Sequence, residues 1–219
     1  MRTTISKRVE QGDATRAHLV SAARRLFGEH GYAATSLQGI VATAEVTKGA
    51  FYHHFASKQE AFLAVYEQVQ REIGRAAFVV HLDHEAPAGQ DGPSVRDLSG
   101  ESNEQVWSHL TTGCRTYLEL HTRPDVQRIV LIDGRAVLPW RDWHRIHSDH
   151  GVTLLRADLR RAMHRRMLHD DLPLGHVATM LAGALHEACI LIAHAERPDD
   201  ELAEAMCVVE RLLNGLKRA

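Results

Sequence analysis

The sequence predicts an all-α fold, with short helices towards its start and longer ones after them. Three observations carry that expectation. Apolar residues recur at helical spacing along nearly the whole chain, no alternating apolar and polar run is long enough for a strand, and N-cap signals and prolines punctuate the pattern at helix-length intervals. With 219 residues, 44% hydrophobic and 25% charged, the chain can bury a core in one or two domains and is too apolar for disorder.

The elements follow in order. Leu19, Ala22, Ala23, Leu26 and Phe27 form one helical stripe, predicting a helix over about 13–30 that stops at Gly31. Arg2, Lys7 and Arg8 precede it as an N-terminal arm. Thr35-Ser36-Leu37-Gln38 sets a hydroxyl three residues before a glutamine, a reciprocal N-cap, and opens a two-turn helix ending near Ala44. Thr47 caps a third helix, Lys48 to His54. Ser57-Lys58-Gln59-Glu60 is another capping box, and it launches a long helix to about Leu82 with Phe62, Leu63, Tyr66, Val69, Gln70 and Ile73 inward. His84 to Gly100 gathers proline, glycine, serine and acids and reads as a flexible surface loop.

Beyond the loop, Ser102-Asn103-Glu104-Gln105 starts a helix carrying Trp107, Leu110, Cys114, Tyr117, Leu118 and His121, stopped before Pro124. After Pro139 one helix is expected from about Trp140 to Leu168. Asp171 is expected to cap the next, starting at Leu172-Pro173, and Pro198 precedes a terminal helix, Asp199 to Lys217.

Charge divides the chain unevenly. Residues 1–60 hold eight basic and five acidic side chains, net +3, so the remainder carries −5 of the total −2. That is a mildly basic head on an acidic body. Cys114, Cys189 and Cys207 are odd in number and far apart, which argues against a disulfide framework and for a reducing, cytoplasmic setting. The start lacks the apolar core of a secretion signal, and the apolar segment Met180 to Ala195 is interrupted by His186 and Glu187, so no membrane partner is expected.

Two short helices joined by a tight turn, braced by a longer helix before them, form a helix-turn-helix. Thr47, Lys48, Gly49, Tyr52 and His53 can face outward, while Phe51 and Phe55, four apart, point to the core. Gly49 inside a helix costs about 1 kcal/mol relative to alanine, which makes sense where a bulky surface such as DNA must come close. The run from Gly31 to Leu37 and the run Ile40 to Lys58, with Thr47-Lys48-Gly49-Ala50-Phe51-Tyr52-His53-His54-Phe55 inside it, closely resemble the DNA-binding region of TetR-family transcriptional regulators. The resemblance covers about residues 13–73 and extends beyond them only in the helical layout.

That resemblance implies a DNA-binding set of Ser36, Thr47, Lys48, Gly49, Tyr52, His53, His54 and Lys58, with Lys48 to His54 in the major groove and Tyr52, His54 and Lys58 on phosphates. Lys58 also stands in the first turn of its helix, where the dipole favours the same phosphate. It departs from the family at Leu37 and Gln38, so base contacts from the second helix are not expected. Domains are expected at 1–65, the helix-turn-helix with its arm, and 66–219, the regulatory and dimerisation part. The implied function is a repressor in the cytoplasm, a homodimer that leaves a palindromic double-stranded DNA operator when a small molecule binds in the body, with the helix after Ser57 as lever.

For that small molecule the candidate lining is Trp107, Tyr117, His121, Trp140, Trp143 and His186. For the dimer, the apolar stripes after Pro173 and Pro198 nominate Leu181, Leu185, Cys189, Val209 and Leu213, with Met180, Ala184, Leu191, Val208 and Leu212 on a second stripe. His144, His147 and His150 fan over about 120 degrees of a helix rather than stacking, which disfavours a metal site. No catalytic motif, cofactor site or phosphate-cradling loop is found, so no enzyme is expected. Two competing readings are a metal-binding or enzymatic helical module with an incidental helix-turn-helix, and a regulator controlled by a protein partner.

Overall fold

The computed structural model describes the backbone of residues 2–78 and 100–218 and side chains from residue 12 onward. The expected loop at 84–100, apart from Gly100, the final turn to Leu82 and the side chains of Arg2, Lys7 and Arg8 lie outside the described residues. Among the described residues the chain forms eleven α-helices and two π-helical turns, and its one β pairing is an isolated bridge between Leu168 and Lys217.

The chain divides into two compact units. Residues 1–69 and 123–144 make one, and residues 70–122 and 145–219 make the other.

In the first unit, α1 (Arg2–Ala34) is already helical where an arm was expected and bends at Gly31, whose φ of 79° is a left-handed conformation open to glycine. A short turn leads to α2 (Leu37–Thr43) and a second to α3 (Lys48–His54), after which α4 (Lys58–Phe78) begins. Leu19, Ala23, Phe27, Ile40, Phe51, Phe55, Phe62 and Tyr66 fill the core between them. Phe62 meets Phe27 and Tyr32 edge-on, with ring centroids 5.1 and 5.2 Å away. The segment 123–144 docks on this core: α6 (Pro124–Val126), the π-helical turn Gln127–Asp133, α7 (Gly134–Val137) and the start of α8 (Trp140–His147). Asp133 accepts the Tyr32 backbone N–H at 2.7 Å, and Gln59 donates to the Val137 carbonyl at 2.7 Å.

The second unit packs α5 (Asn103–Leu120), α9 (Thr153–His164), α10 (Leu174–His194) and α11 (Pro198–Asn214) around Leu110, Cys114, Leu118, Leu155, Leu159, Leu185, Ile192, Met206 and Leu213. Gly74 on α4 leaves room for the His150 backbone, where any side chain would collide. Arg161 pairs with Glu101, and Arg165 donates to the Glu101 carbonyl at 2.5 Å, tying α9 to the start of α5.

Three local expectations are corrected. The single helix from Trp140 to Leu168 is interrupted by a π-helical turn at Ser148–Val152 and ends at His164. Asp171 caps nothing, because α10 begins at Leu174 and its cap position falls on Pro173. The cap of α2 is Ser36 and not Thr35: Ser36 Oγ accepts from Gly39 N–H at 3.0 Å. The Thr35 hydroxyl turns the other way and donates to the carbonyls of Gly31 and Leu26, closing α1. The box at Ser102 forms as expected, with both reciprocal bonds to Gln105.

Candidate nucleic-acid interface

The helix-turn-helix is built from caps and two phenylalanines. Thr47 Oγ1 accepts from Ala50 N–H at 3.1 Å, fixing the start of α3, and Phe51 and Phe55 are 0% and 2% exposed. Anchoring those rings inward leaves Thr47, Lys48, Gly49, Tyr52 and His53 exposed on the other side. Tyr52 is 51% exposed, and Lys48 Nζ lies 5.9 Å above its ring, so cation and phenol are presented together. A methyl added at Gly49 would meet only Thr47 Oγ1, at 3.8 Å. Nothing among the described residues therefore requires glycine there.

His54 is half-buried at the end of α3. Burial lowers its pKa, helped by the charges of His53 and Arg16 and opposed by Asp13, which favours the uncharged ring. Arg16 was missed by sequence reasoning: its guanidinium lies 5.2 Å over the Phe55 ring, beside the end of α3. It is one of several arginines on α1, and only the packing of α1 against α3 separates it from the rest.

Lys58, which the resemblance implies on a phosphate, is engaged within the chain. Its Nζ donates to the carbonyls of Tyr32 and Thr35, each at 2.8 Å, and sits 4.1 Å over the Tyr32 ring. Two of the ammonium's three N–H groups close the end of α1. Ser36 likewise spends its oxygen on the α2 cap, which leaves its hydroxyl proton as the group it can offer outward.

The six candidate ligand residues are divided between the two units. Tyr117, His121 and His186 come together in the second unit, 4%, 1% and 5% exposed. Trp140 is 66% exposed, stacked at 5.3 Å on Trp143 beneath Arg135, and both tryptophans belong with the head. Trp107 is half-buried under Lys217 Nζ, 3.8 Å from its ring. Of the three histidines weighed as metal ligands, His147 instead joins His186, ring centroids 5.7 Å apart. Among the described residues no group of three or more His, Cys, Asp or Glu is placed to hold a metal.

The dimer residues are corrected too. Leu181, Leu185, Cys189, Val209 and Leu213 are at most 6% exposed inside a single chain, because their stripe faces the second unit's own core. The other stripe is the open one: Met180, Leu191, Val208 and Leu212 are 75%, 56%, 57% and 50% exposed. Its presence explains why α10 is apolar enough, by length and composition, to pass for a membrane span while one face is buried in protein.

Residues 19–65 match the family model described as bacterial regulatory proteins, tetR family, and residues 107–216 match the tetracyclin repressor-like C-terminal domain. A crystal structure of a TetR-family transcriptional regulator from Pectobacterium atrosepticum superposes with a TM-score of 0.72 at 31% identity, covering 96% of this chain and 97% of that one. The transcriptional repressor AcnR of Corynebacterium diphtheriae is 26% identical over 78% of this chain and 76% of its own length. The Tn10 TetC protein of Escherichia coli is 49% identical over 59 residues, 27% of this chain and 30% of TetC.

Proposed function

From the premise that this chain belongs to the TetR family, as a ligand-responsive DNA-binding transcriptional repressor, we propose that α3 is the element that enters the major groove. The observation that carries the assignment is the open face of α3, where Thr47, Lys48, Gly49, Tyr52 and His53 are exposed and a glycine stands with no internal need for one. Lys48 reads base edges, Tyr52, His53 and His54 hold the backbone, and Gly49 lets it come close. Ser36 adds a hydroxyl donor. Lys58 acts one step back, by fixing the turn between α1 and α2.

The operator is palindromic, because a homodimer presents two copies of α3 about one DNA turn, roughly 34 Å, apart. The dimer face is the open stripe of α10 and α11, with Gly183 and Ala184, both exposed, allowing close approach. A second copy is a better occupant than lipid, since Glu187 on α10 and Glu204 and Arg211 on α11 are exposed along the same face. Repression ends when a small molecule favours a conformation whose paired helices no longer fit adjacent grooves. The site of action is the cytoplasm, where bacterial DNA lies, and the chain works by binding, without catalysis.

The test uses the chain's own operator, selected from genomic fragments. Lys48→Ala should change which sequences are bound, whereas Gly49→Ala should leave the fold intact, gain up to about 1 kcal/mol of helix stability and weaken binding at least tenfold. If both variants bind the selected site like wild type, α3 is not the reading element.

A further inference from the structure

Five ring side chains gather inside the unit formed by residues 70–122 and 145–219. Tyr117 and His121 lie one turn apart at the end of α5, ring centroids 4.3 Å apart, and Phe78 stands 6.1 Å from Tyr117 on another side. His186 on α10 meets His147, the last residue of α8, at 5.7 Å. The charges of His186 and His147 would act on His121, so the two groups of rings share one place. Beside them runs the π-helical turn Ser148–Val152, a distortion often kept for function. Gly151, on the same face as His147 one turn on, is buried, yet a Cβ built there meets no atom of the described residues within 4 Å.

The state of His121 follows from one distance. Its Nδ1 is 2.7 Å from the Tyr117 carbonyl oxygen, which can only accept, so Nδ1 carries the proton of the neutral ring. Burial, with the neighbouring histidines, pushes its pKa down to about 4, which keeps the ring neutral in the cell. Nε2 then holds a bare lone pair, in a residue 1% exposed, with no hydrogen-bond partner among the described residues. A buried acceptor without a donor is unfavourable and is kept where a ligand completes it.

That atom selects its ligand's chemistry. A carboxylate brings no proton to it, and a phosphate or an ammonium would be stripped of water among neutral rings. An uncharged O–H fits it. The surrounding Phe78, Tyr117, His121 and His186 favour a flat aromatic body over an aliphatic chain. No metal-holding group of three ligands exists among the described residues to give the histidines another use.

We propose that this cluster is a binding site for a small, uncharged phenol whose hydroxyl donates to His121 Nε2, an inference that rests on the reading of the chain as a ligand-responsive regulator. The test is calorimetric titration of the full-length protein, without DNA, with phenol, anisole and toluene, together with nitrogen NMR of histidine-labelled wild type. Phenol should bind at least tenfold more tightly than anisole or toluene, which keep the ring but lack the donor. His121→Phe should reduce that preference below twofold. In the wild type the His121 Nε2 resonance should be of the unprotonated type and move on adding phenol but not toluene, a readout that does not depend on any variant folding. Equal affinities, no binding of any probe, a preference that survives His121→Phe, or a proton found on Nε2 would each overturn the assignment. Operator release is read separately: phenol that binds without loosening the operator leaves the site standing and removes its regulatory role, while operator binding without phenol binding removes the site alone.

Discussion

A histidine held neutral inside a protein makes stability depend on acid. Unfolded, His121 takes up a proton below about pH 6.5, whereas in the folded chain its pKa lies at about 4. The unfolded state therefore binds more protons between those values, and stability falls as pH drops through them, by up to about 3 kcal/mol. Asp158 works in the opposite direction: burial raises its carboxyl to about 7 against the pull of Arg161 and with the help of Glu101, so its contribution is present at low pH and is lost as pH rises towards 7. The two slopes partly cancel in the wild type. Denaturant unfolding of wild type and His121→Phe at pH 7 and pH 4.5 isolates one of them, with the variant expected to gain about 2 to 3 kcal/mol relative to wild type at the lower pH. An unchanged difference between the two proteins would mean that His121 is not held neutral.

At the scale of elements, the turn from α1 into α2 is the joint that aims the helix-turn-helix. Gly31 bends α1, Thr35 bonds back to Gly31 and Leu26, Asp133 takes the Tyr32 N–H, and Lys58 takes the carbonyls of Tyr32 and Thr35. Lys58→Met keeps the stem but leaves those carbonyls without their charged donor, so it should destabilise the head by about 1–2 kcal/mol. Affinity for DNA should fall with it. The slope of log affinity against log salt, which would flatten by about 0.9 if a phosphate contact were lost, should stay as in wild type. A flattened slope with unchanged stability would return Lys58 to the phosphate.

For the whole molecule, the two stripes of α10 and α11 have opposite consequences. Leu181→Glu or Val209→Glu places a charge in the core of one chain and should abolish folding, whereas Met180→Glu or Val208→Glu acts on exposed positions and should give folded monomers. Sedimentation without DNA should find wild type dimeric, and the Met180→Glu protein should bind a full palindrome no better than a half-site. Folded dimers of Met180→Glu and Val208→Glu would move the interface elsewhere.

The sequence by itself determined the all-helical class, the helix-turn-helix and the residues of its outward face. Those follow from rules that act within a turn or two of chain: apolar spacing, a hydroxyl N-cap, and Phe51 and Phe55 four apart. It also determined that α10 and α11 each carry two apolar stripes. Which stripe the chain keeps for itself was decided only in the tertiary structure, since both are apolar at the same helical period and it is what packs on them that tells them apart. The same holds for the partner of Lys58, for the docking of 123–144 on the head and for the meeting of Tyr117, His121, His147 and His186. Each joins residues far apart in the chain, and a one-dimensional pattern carries no term for the side chain that arrives from another helix.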